Sequence, residues 1–237
     1  MNVALILAAG TGSRMGNADK PKQFLPIYGK PLMIHTIEAF EMHDDIDKIV
    51  VVTSEGYEDQ VKVWCKQYDL GKVKAVVHGS DSRQGSVYNG LQALKNLGVK
   101  DDDIIVIHDA ARPLISQNII TNNIEACQKY DAVDTVIKAS DTIVASSDGE
   151  RITNIPNRSE LYQGQTPQTF KFALICEAHE KAKSGQIPNV TDDTKLVISM
   201  GKEVHLVEGS KQNFKITTFD DLMMLKALLK IGKTEVL

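Results

Sequence analysis

The strongest constraint on how this chain folds is a rhythm along its first 137 residues. Short runs rich in Val and Ile at residues 3–7, 48–53, 73–77 and 104–107 are bounded by polar residues and have the length of strands. The stretches between them, 31–43, 57–68 and 84–97, carry apolar residues at helical spacing. Pro31 fits the first turn of its helix, where the missing N–H is no loss. The pattern repeats with a helix near 117–129 and a strand at 132–137. Strands and helices in alternation predict a mostly parallel sheet with helices on both faces, a Rossmann-like three-layer α/β/α fold. A helix near 172–183, a strand near 203–207 and a helix at 219–229 complete the same body.

Between residues 140 and 170 the rhythm stops. Thr, Ile and Val are mixed there with Asp, Asn, Pro and Gly, and Asp148-Gly149 is a hairpin turn signal. An extended β-arm projecting from the main body is expected. A lone hairpin cannot bury its apolar face, so docking on a second copy, as a homodimer, is the natural outcome. With no internal repeat or linker, residues 1–237 read as one domain carrying that arm.

A chain of 237 residues, 42% hydrophobic, buries enough surface to fold without disulfides or structural metal. Cys65, Cys127 and Cys176 each fall in a helical pattern, with no spacing that suggests zinc, and read as core filler. A net charge of −4 argues against a general nucleic-acid binder. The apolar first residues lack a basic leader and run straight into a glycine loop. They read as a buried strand rather than a leader or span, and a cytoplasmic protein without membrane contact is expected.

That loop is Leu7-Ala8-Ala9-Gly10-Thr11-Gly12-Ser13-Arg14-Met15-Gly16. Small residues after a strand let backbone N–H groups approach phosphates and form an anion-binding nest. It is not a Walker loop, because no Lys-Ser/Thr follows the glycines. Nor is it a dinucleotide fingerprint: the third glycine comes one residue late, and the next clear helix begins only after Pro31. This spacing disfavours a nicotinamide oxidoreductase. What remains is a long loop with Arg14, Lys20 and Lys22, stiffened by Pro21. Nucleotidyl transfer needs little more than positioning and positive charge near the α-phosphate and the leaving pyrophosphate.

LAAGTGSRMG followed by PKQFL resembles the cytidylyltransferases that act on methylerythritol phosphate and on ribitol phosphate. The resemblance continues in order through GSDSRQGSV, HDAARP, DTI, NRSELYQGQTPQTF, VTDD and NFKITT, nearly the whole chain. It implies a nucleotidyltransferase fold in which Leu7, Ala8, Ala9, Gly10, Thr11 and Gly12 hold CTP. Gly79, Asp81 and Ser86 would take its cytosine side, although Ser82 or Asp81 also suits a helix cap. Asp109, with Ala110, lies beyond the fourth strand, where ligands of open sheets collect. Asp109 can hold Mg²⁺ against triphosphate oxygens, since Mg²⁺ takes few carboxylates plus phosphate and water. A structural ion pair between Asp109 and Arg112 is the plainer alternative. His108 has no metal-binding partner at useful spacing and reads as structural or as a support behind the residues of the site.

On the acceptor side the resemblance implies Arg112, Thr142, Arg158, Thr166 and Lys215. Arg14, Lys22, Arg158 and Lys215 become the catalytic set, with the arm reaching into the neighbouring site of a homodimer. Asp192 and Asp193 stay open between a second acidic cluster and a helix cap. The reaction implied is attack of an acceptor phosphate oxygen on the α-phosphorus of CTP, releasing pyrophosphate. The acceptor, a small polyol phosphate, needs no general base. HDAARP and VTDD look like the methylerythritol phosphate enzymes. The arm, with IPNR and Tyr162-Gln163-Gly164, looks more like the ribitol phosphate enzymes and favours ribitol 5-phosphate, to give CDP-ribitol. A nucleotide-binding protein without catalysis is the non-enzyme alternative. The joint presence of Arg14, Lys22, Asp109, Arg158 and Lys215 counts against it.

Overall fold

Alternate residues of the first strand, β1 (Asn2–Ala8), go to two separate cores, and this period of two builds the layers. Ala4, Ile6 and Ala8 pack against α1 (Leu32–Glu41), α2 (Glu58–Gln67) and α4 (Gln117–Tyr130). Val3 and Leu5 face the other way, to α3 (Arg83–Asn96), α5 (Phe172–Lys183) and α6 (Asp193–Ser199). The computed structural model describes residues 1–10, 21–187 and 192–234. Its remaining strands are β2 (Pro26–Ile27), β3 (Lys30–Pro31), β4 (Lys48–Thr53), β5 (Val73–His78), β6 (Ile104–Asp109), β7 (Ala132–Lys138), β8 (Tyr162–Lys171) and β9 (His205–Glu208).

Seven strands form one sheet in the order β5-β4-β1-β6-β8-β7-β9. Every neighbouring pair is parallel except those that involve β8, which runs antiparallel to both β6 and β7. The mostly parallel three-layer expectation therefore holds. A small hairpin, β2 with β3, packs Ile27 against Ile216, Leu222 and Leu225, the last two on α7 (Phe219–Thr234). Among the described residues no helix is long and apolar enough to cross a membrane.

Several expectations need correction. The arm ends earlier than residue 170, because residues 162–171 are β8, in the interior of the sheet. Pro31 lies at the N-cap of α1 in extended backbone, since it also pairs with Pro26 in the small hairpin. Helix α6 follows Asp192, whose side chain accepts from the N–H groups of Thr194 and Lys195 and so caps it. The cap reading is the right one for that residue. Cys65 and Cys127 fill the core, and Cys176 packs beside it partly buried. Burial pushes all three thiols up, Cys65 and Cys176 to about 11 and Cys127 to about 12.

Candidate active site

In an open parallel sheet, a crevice forms where two neighbouring strands send their chains in opposite directions. Here β1 is that point, with β4 on one side and β6 on the other. A cavity of about 470 Å³ lies beyond the carboxyl ends of β1, β4, β5 and β6. Leu7, Ala8, Ala9 and Gly10 form one wall, Gly79, Asp81 and Ser86 another, and Lys22, Asp109 and Lys215 also face it. Ala110 does not. It is buried, holding the Thr36 hydroxyl on its carbonyl, while Ala111 reaches the wall instead. Thr11, Gly12 and Arg14 lie outside the described residues.

The wall opposite the glycine loop is the N-terminus of α3. Ser82, not Asp81, is its cap, accepting from the Gly85 N–H at 2.9 Å. Asp81 is thereby left exposed at the cavity. Ser86 accepts from Ser80 N–H at 3.0 Å and donates back to the Ser82 carbonyl at 2.9 Å, which holds the turn rigid. Gly79 is required by space: a Cβ there would stand 2.3 Å from the Ala9 Cβ and 2.7 Å from Ser86 Oγ. The two walls approach too closely for any side chain between them.

Gln23 fixes the far end of the loop. It is buried, and its amide nitrogen donates to the Ala8 carbonyl and to the Gly10 carbonyl at 3.0 Å. This contact explains the Gln of the PKQ motif as a clamp on the glycine loop. Lys22, beginning the 3-10 turn Lys22–Phe24, donates to the Ile216 carbonyl at 2.7 Å. Ile216 N–H in turn meets the Ala111 carbonyl at 2.8 Å. The NFKITT segment is thus laced to both the PKQ turn and the end of β6.

Asp109 collects the charge of the site. Its Oδ2 accepts from Lys215 Nζ at 2.8 Å and lies 3.8 Å from Arg112 Nε, while Oδ1 is 4.0 Å from Arg83 Nε. Burial alone would raise this carboxyl, but Lys215, Arg83 and Arg112 together hold it far below the usual range. It is an anion. The plainer ion pair expected between Asp109 and Arg112 is present, yet only as one part of a four-member cluster. Arg112 donates to the Asn213 carbonyl at 2.8 Å and is mostly buried beneath the cluster.

Behind Asp109, the bonding pattern fixes the tautomer of His108. Its Nε2 donates to the Arg112 carbonyl at 3.1 Å, so Nδ1 accepts from the Thr166 hydroxyl at 3.0 Å. Thr166 Oγ1 accepts in turn from Asp109 N–H at 3.1 Å. Burial lowers His108 to about 4, which keeps it neutral. His108 is structural as expected. Thr166, expected at the acceptor, is instead buried in the β6–β8 seam, because it sits in the interior strand and not in an arm.

Arg83 was not singled out by sequence reasoning, although GSDSRQGSV contains it. Its guanidinium lines the cavity and donates to Asp193 Oδ2 at 2.5 Å. Asp193 therefore belongs to this side of the site as an ion-pair partner, a role that neither open reading anticipated. Its partner is 110 residues away, so no local spacing signals the pair.

Thr142 and Arg158 lie elsewhere. Both are exposed on the arm, where Arg158 Nη1 donates to the Ser140 carbonyl at 3.3 Å. Within one chain, neither lines the cavity. The arm is a loose hairpin, bridged at Ala145–Asn154 and turned at Asp148-Gly149, where Asp148 accepts from two backbone N–H groups. Ile143, Val144, Ile152 and Ile155 stand exposed along it.

A glycine-loop wall, a capped helix N-terminus and a cation cluster around one carboxylate suit a nucleoside triphosphate. Residues 2–231 match the protein family described as IspD, 2-C-methyl-D-erythritol 4-phosphate cytidylyltransferase. The chain belongs to the IspD family. It is accordingly a cytidylyltransferase, a CTP-dependent nucleotidyltransferase. Among solved structures, it is 30% identical to 4-diphosphocytidyl-2C-methyl-D-erythritol synthase of Anaerococcus prevotii, covering 97% of this chain and 96% of that one with a TM-score of 0.82. The 2-C-methyl-D-erythritol 4-phosphate cytidylyltransferase of Thermus thermophilus is 31% identical, over 95% and 98% of the two chains, with a TM-score of 0.76. A further 4-diphosphocytidyl-2C-methyl-D-erythritol synthase is 28% identical, over 96% and 98%, with a TM-score of 0.80. The family expected from the motifs is the one found. Ribitol 5-phosphate, the favoured acceptor, is not the one these relatives are named for.

Proposed function

We propose that the chain transfers CMP from CTP to 2-C-methyl-D-erythritol 4-phosphate. The single observation behind the transfer is the junction of Lys22, Lys215 and Asp109 at one cavity at the switch point of the sheet. For the acceptor, support comes from the names carried by the family and its solved relatives. An oxygen of the acceptor phosphate forms a bond to the α-phosphorus of CTP as the bond to the pyrophosphate oxygen breaks. That nucleophile is already an anion, so no base has to take a proton from it. Two unit charges about 4 Å apart repel by about 4 kcal/mol at an effective dielectric near 20, which is the barrier the site has to offset. Lys22 supplies charge on the nucleotide side, and Lys215 on the side of β6, held by its bond to Asp109. Arg14 of the glycine loop would add to the first group.

Asp109 fits a divalent cation. Its Oδ1 makes no hydrogen bond among the described residues, and the carboxylate is ionised and faces the cavity. A cavity-facing carboxylate is the kind of ligand Mg²⁺ takes when phosphate and water supply the rest. When bound, Mg²⁺ would neutralise triphosphate charge. Arg158 and Thr142 complete the acceptor site from a second copy, because the apolar arm stands exposed among the described residues of its own chain. Arg112 then backs that site from beneath Asp109.

Ribitol 5-phosphate is the second reading. Tyr162, Gln163 and Gly164 are exposed where β8 leaves the arm, four to six residues after Arg158. They are well placed to meet additional hydroxyls. The test is pyrophosphate release from CTP with each acceptor in turn. A kcat/KM higher with methylerythritol phosphate by about tenfold or more supports the first reading, since unpaired hydroxyl-binding groups discriminate at that level. A higher value with ribitol 5-phosphate would replace it with the second.

A further inference from the structure

One buried carboxylate of this chain has both oxygens committed and reaches the cavity only through another side chain. Asp193, the first residue of α6, is 1% exposed. Its Oδ2 accepts from Arg83 Nη1 at 2.5 Å, and its Oδ1 from His179 Nε2 at 2.9 Å. His179, on α5, is equally buried, and its Nδ1 has no partner among the described residues, so its whole hydrogen-bonding capacity here goes to Asp193. Arg83 is the one member that emerges: it begins α3, is 25% exposed and lines the nucleotide cavity. Its Nη2 lies 3.5 Å from Gln168 Oε1, and its Nε is 4.0 Å from Asp109 Oδ1.

A purely structural pair between helices would be interchangeable with apolar packing of the same volume. This one is different in that its cationic end opens on the site. An Arg with a long flexible stem samples many positions, and a planar fork is useful to a phosphate or ribose only when its plane is fixed. Asp193 holds Nη1 and Gln168 meets Nη2, which fixes that plane, while Nε lies on the side of Asp109.

We infer that Asp193, braced by His179, is a positioning residue for CTP, holding the Arg83 guanidinium in the cavity wall as a nucleotide contact. The inference rests on CTP occupying this cavity. It predicts that Asp193 acts on the nucleotide only through Arg83. The test is a double-mutant cycle on the full chain, reading the Kd for CTP by calorimetry and the Tm of each variant. Asp193→Asn and Arg83→Gln should each weaken CTP binding by about tenfold or more, the scale of a charge-assisted hydrogen bond. The double variant should bind no worse than Arg83→Gln alone. Independent, multiplying losses, or a Kd in folded Asp193→Asn within twofold of wild type, overturn the inference. If Asp193→Asn does not fold, His179→Gln carries the same cycle: its weakening must vanish in the Arg83→Gln background, and unchanged CTP affinity again overturns it. Wild-type protein that binds ATP as tightly as CTP would strike the nucleotide reading itself, an outcome separable from all of these.

Discussion

Lys22 is held at the mouth of the cavity by a bond to the Ile216 carbonyl, on a turn whose buried residues are Gln23 and Phe24 and not Lys22 itself. Lys22→Ala should therefore lower kcat/KM on the order of 10²–10³, the usual effect of losing one transition-state donor, with Tm little changed. Near-normal turnover would remove Lys22 from the chemistry. A second prediction concerns two buried groups with opposite proton linkage. Asp134 is pushed up to about 7 by burial, and then by the Asp192 carboxylate, against a hydrogen bond from Gln168. A raised carboxyl favours folding fully below its ordinary pKa of about 4, and that contribution is lost as pH rises through about 7. His108, lowered to about 4 by burial, does the reverse: stability is lost as pH falls from about 6.5 toward 4. The two slopes oppose one another over nearly the same window. Asp134→Asn leaves His108 unopposed, so the variant should gain on wild type as pH rises from about 5 to 8, in urea unfolding followed by circular dichroism. An equal difference at both pH values would count against the burial of Asp134 as its cause. At this scale the sequence was most legible where chemistry is local. Lys22, Asp109 and Lys215 sit in contiguous motifs, whereas Arg83 takes its meaning from Asp193 and His179, which only folding brings near.

Among the elements, α3 shows how a short motif builds a wall. Ser82 caps it, Ser86 locks the preceding turn, and Gly79 admits the close approach of β1. Ser82→Ala should cost about 1 kcal/mol of stability, the value of a lost N-cap, in denaturant unfolding. A loss near zero would mean that water replaces the cap without penalty. Strand β8 teaches the opposite lesson. Its residues Gln165, Thr166, Gln168 and Thr169 are polar, and the sequence pattern therefore assigns the segment to the projecting arm. All four are buried, each satisfied from a distance: Gln165 by Ser210 and Asn213, Thr166 by His108, Gln168 by Asp192, and Thr169 by Asn123. A polar strand in a core is stable only because those partners exist. Their positions are spread over about 100 residues of sequence, so no window of sequence could reveal them. The central parallel strands β1, β4 and β6, which bury Val and Ile or Leu on both faces, were readable from the chain alone.

For the molecule as a whole, the arrangement of one chain keeps the two cations proposed for the acceptor apart. Lys215 lies in the cavity beside Asp109, while Arg158 lies exposed on an arm that carries Ile143, Val144, Ile152 and Ile155 to solvent. If the arm of one copy covers the cavity of another, Arg158 and Lys215 belong to the same site but to different chains. Two variants, Arg158→Ala and Lys215→Ala, would then each be inactive alone and complement one another when mixed. In a mixed dimer, the chain that keeps Lys215 receives an intact arm from its partner, and the other site loses both residues. Random pairing makes half of the dimers mixed, each with one working site, so about a quarter of the wild-type rate should return after co-expression or subunit exchange. Sedimentation should show a dimer at the assay concentration for the wild type and both variants. If Arg158 instead folds back to serve its own chain, every site in every mixture lacks one residue or the other, and no activity returns. The rate of the mixture thus separates a shared site from a private one without any change to the chemistry itself.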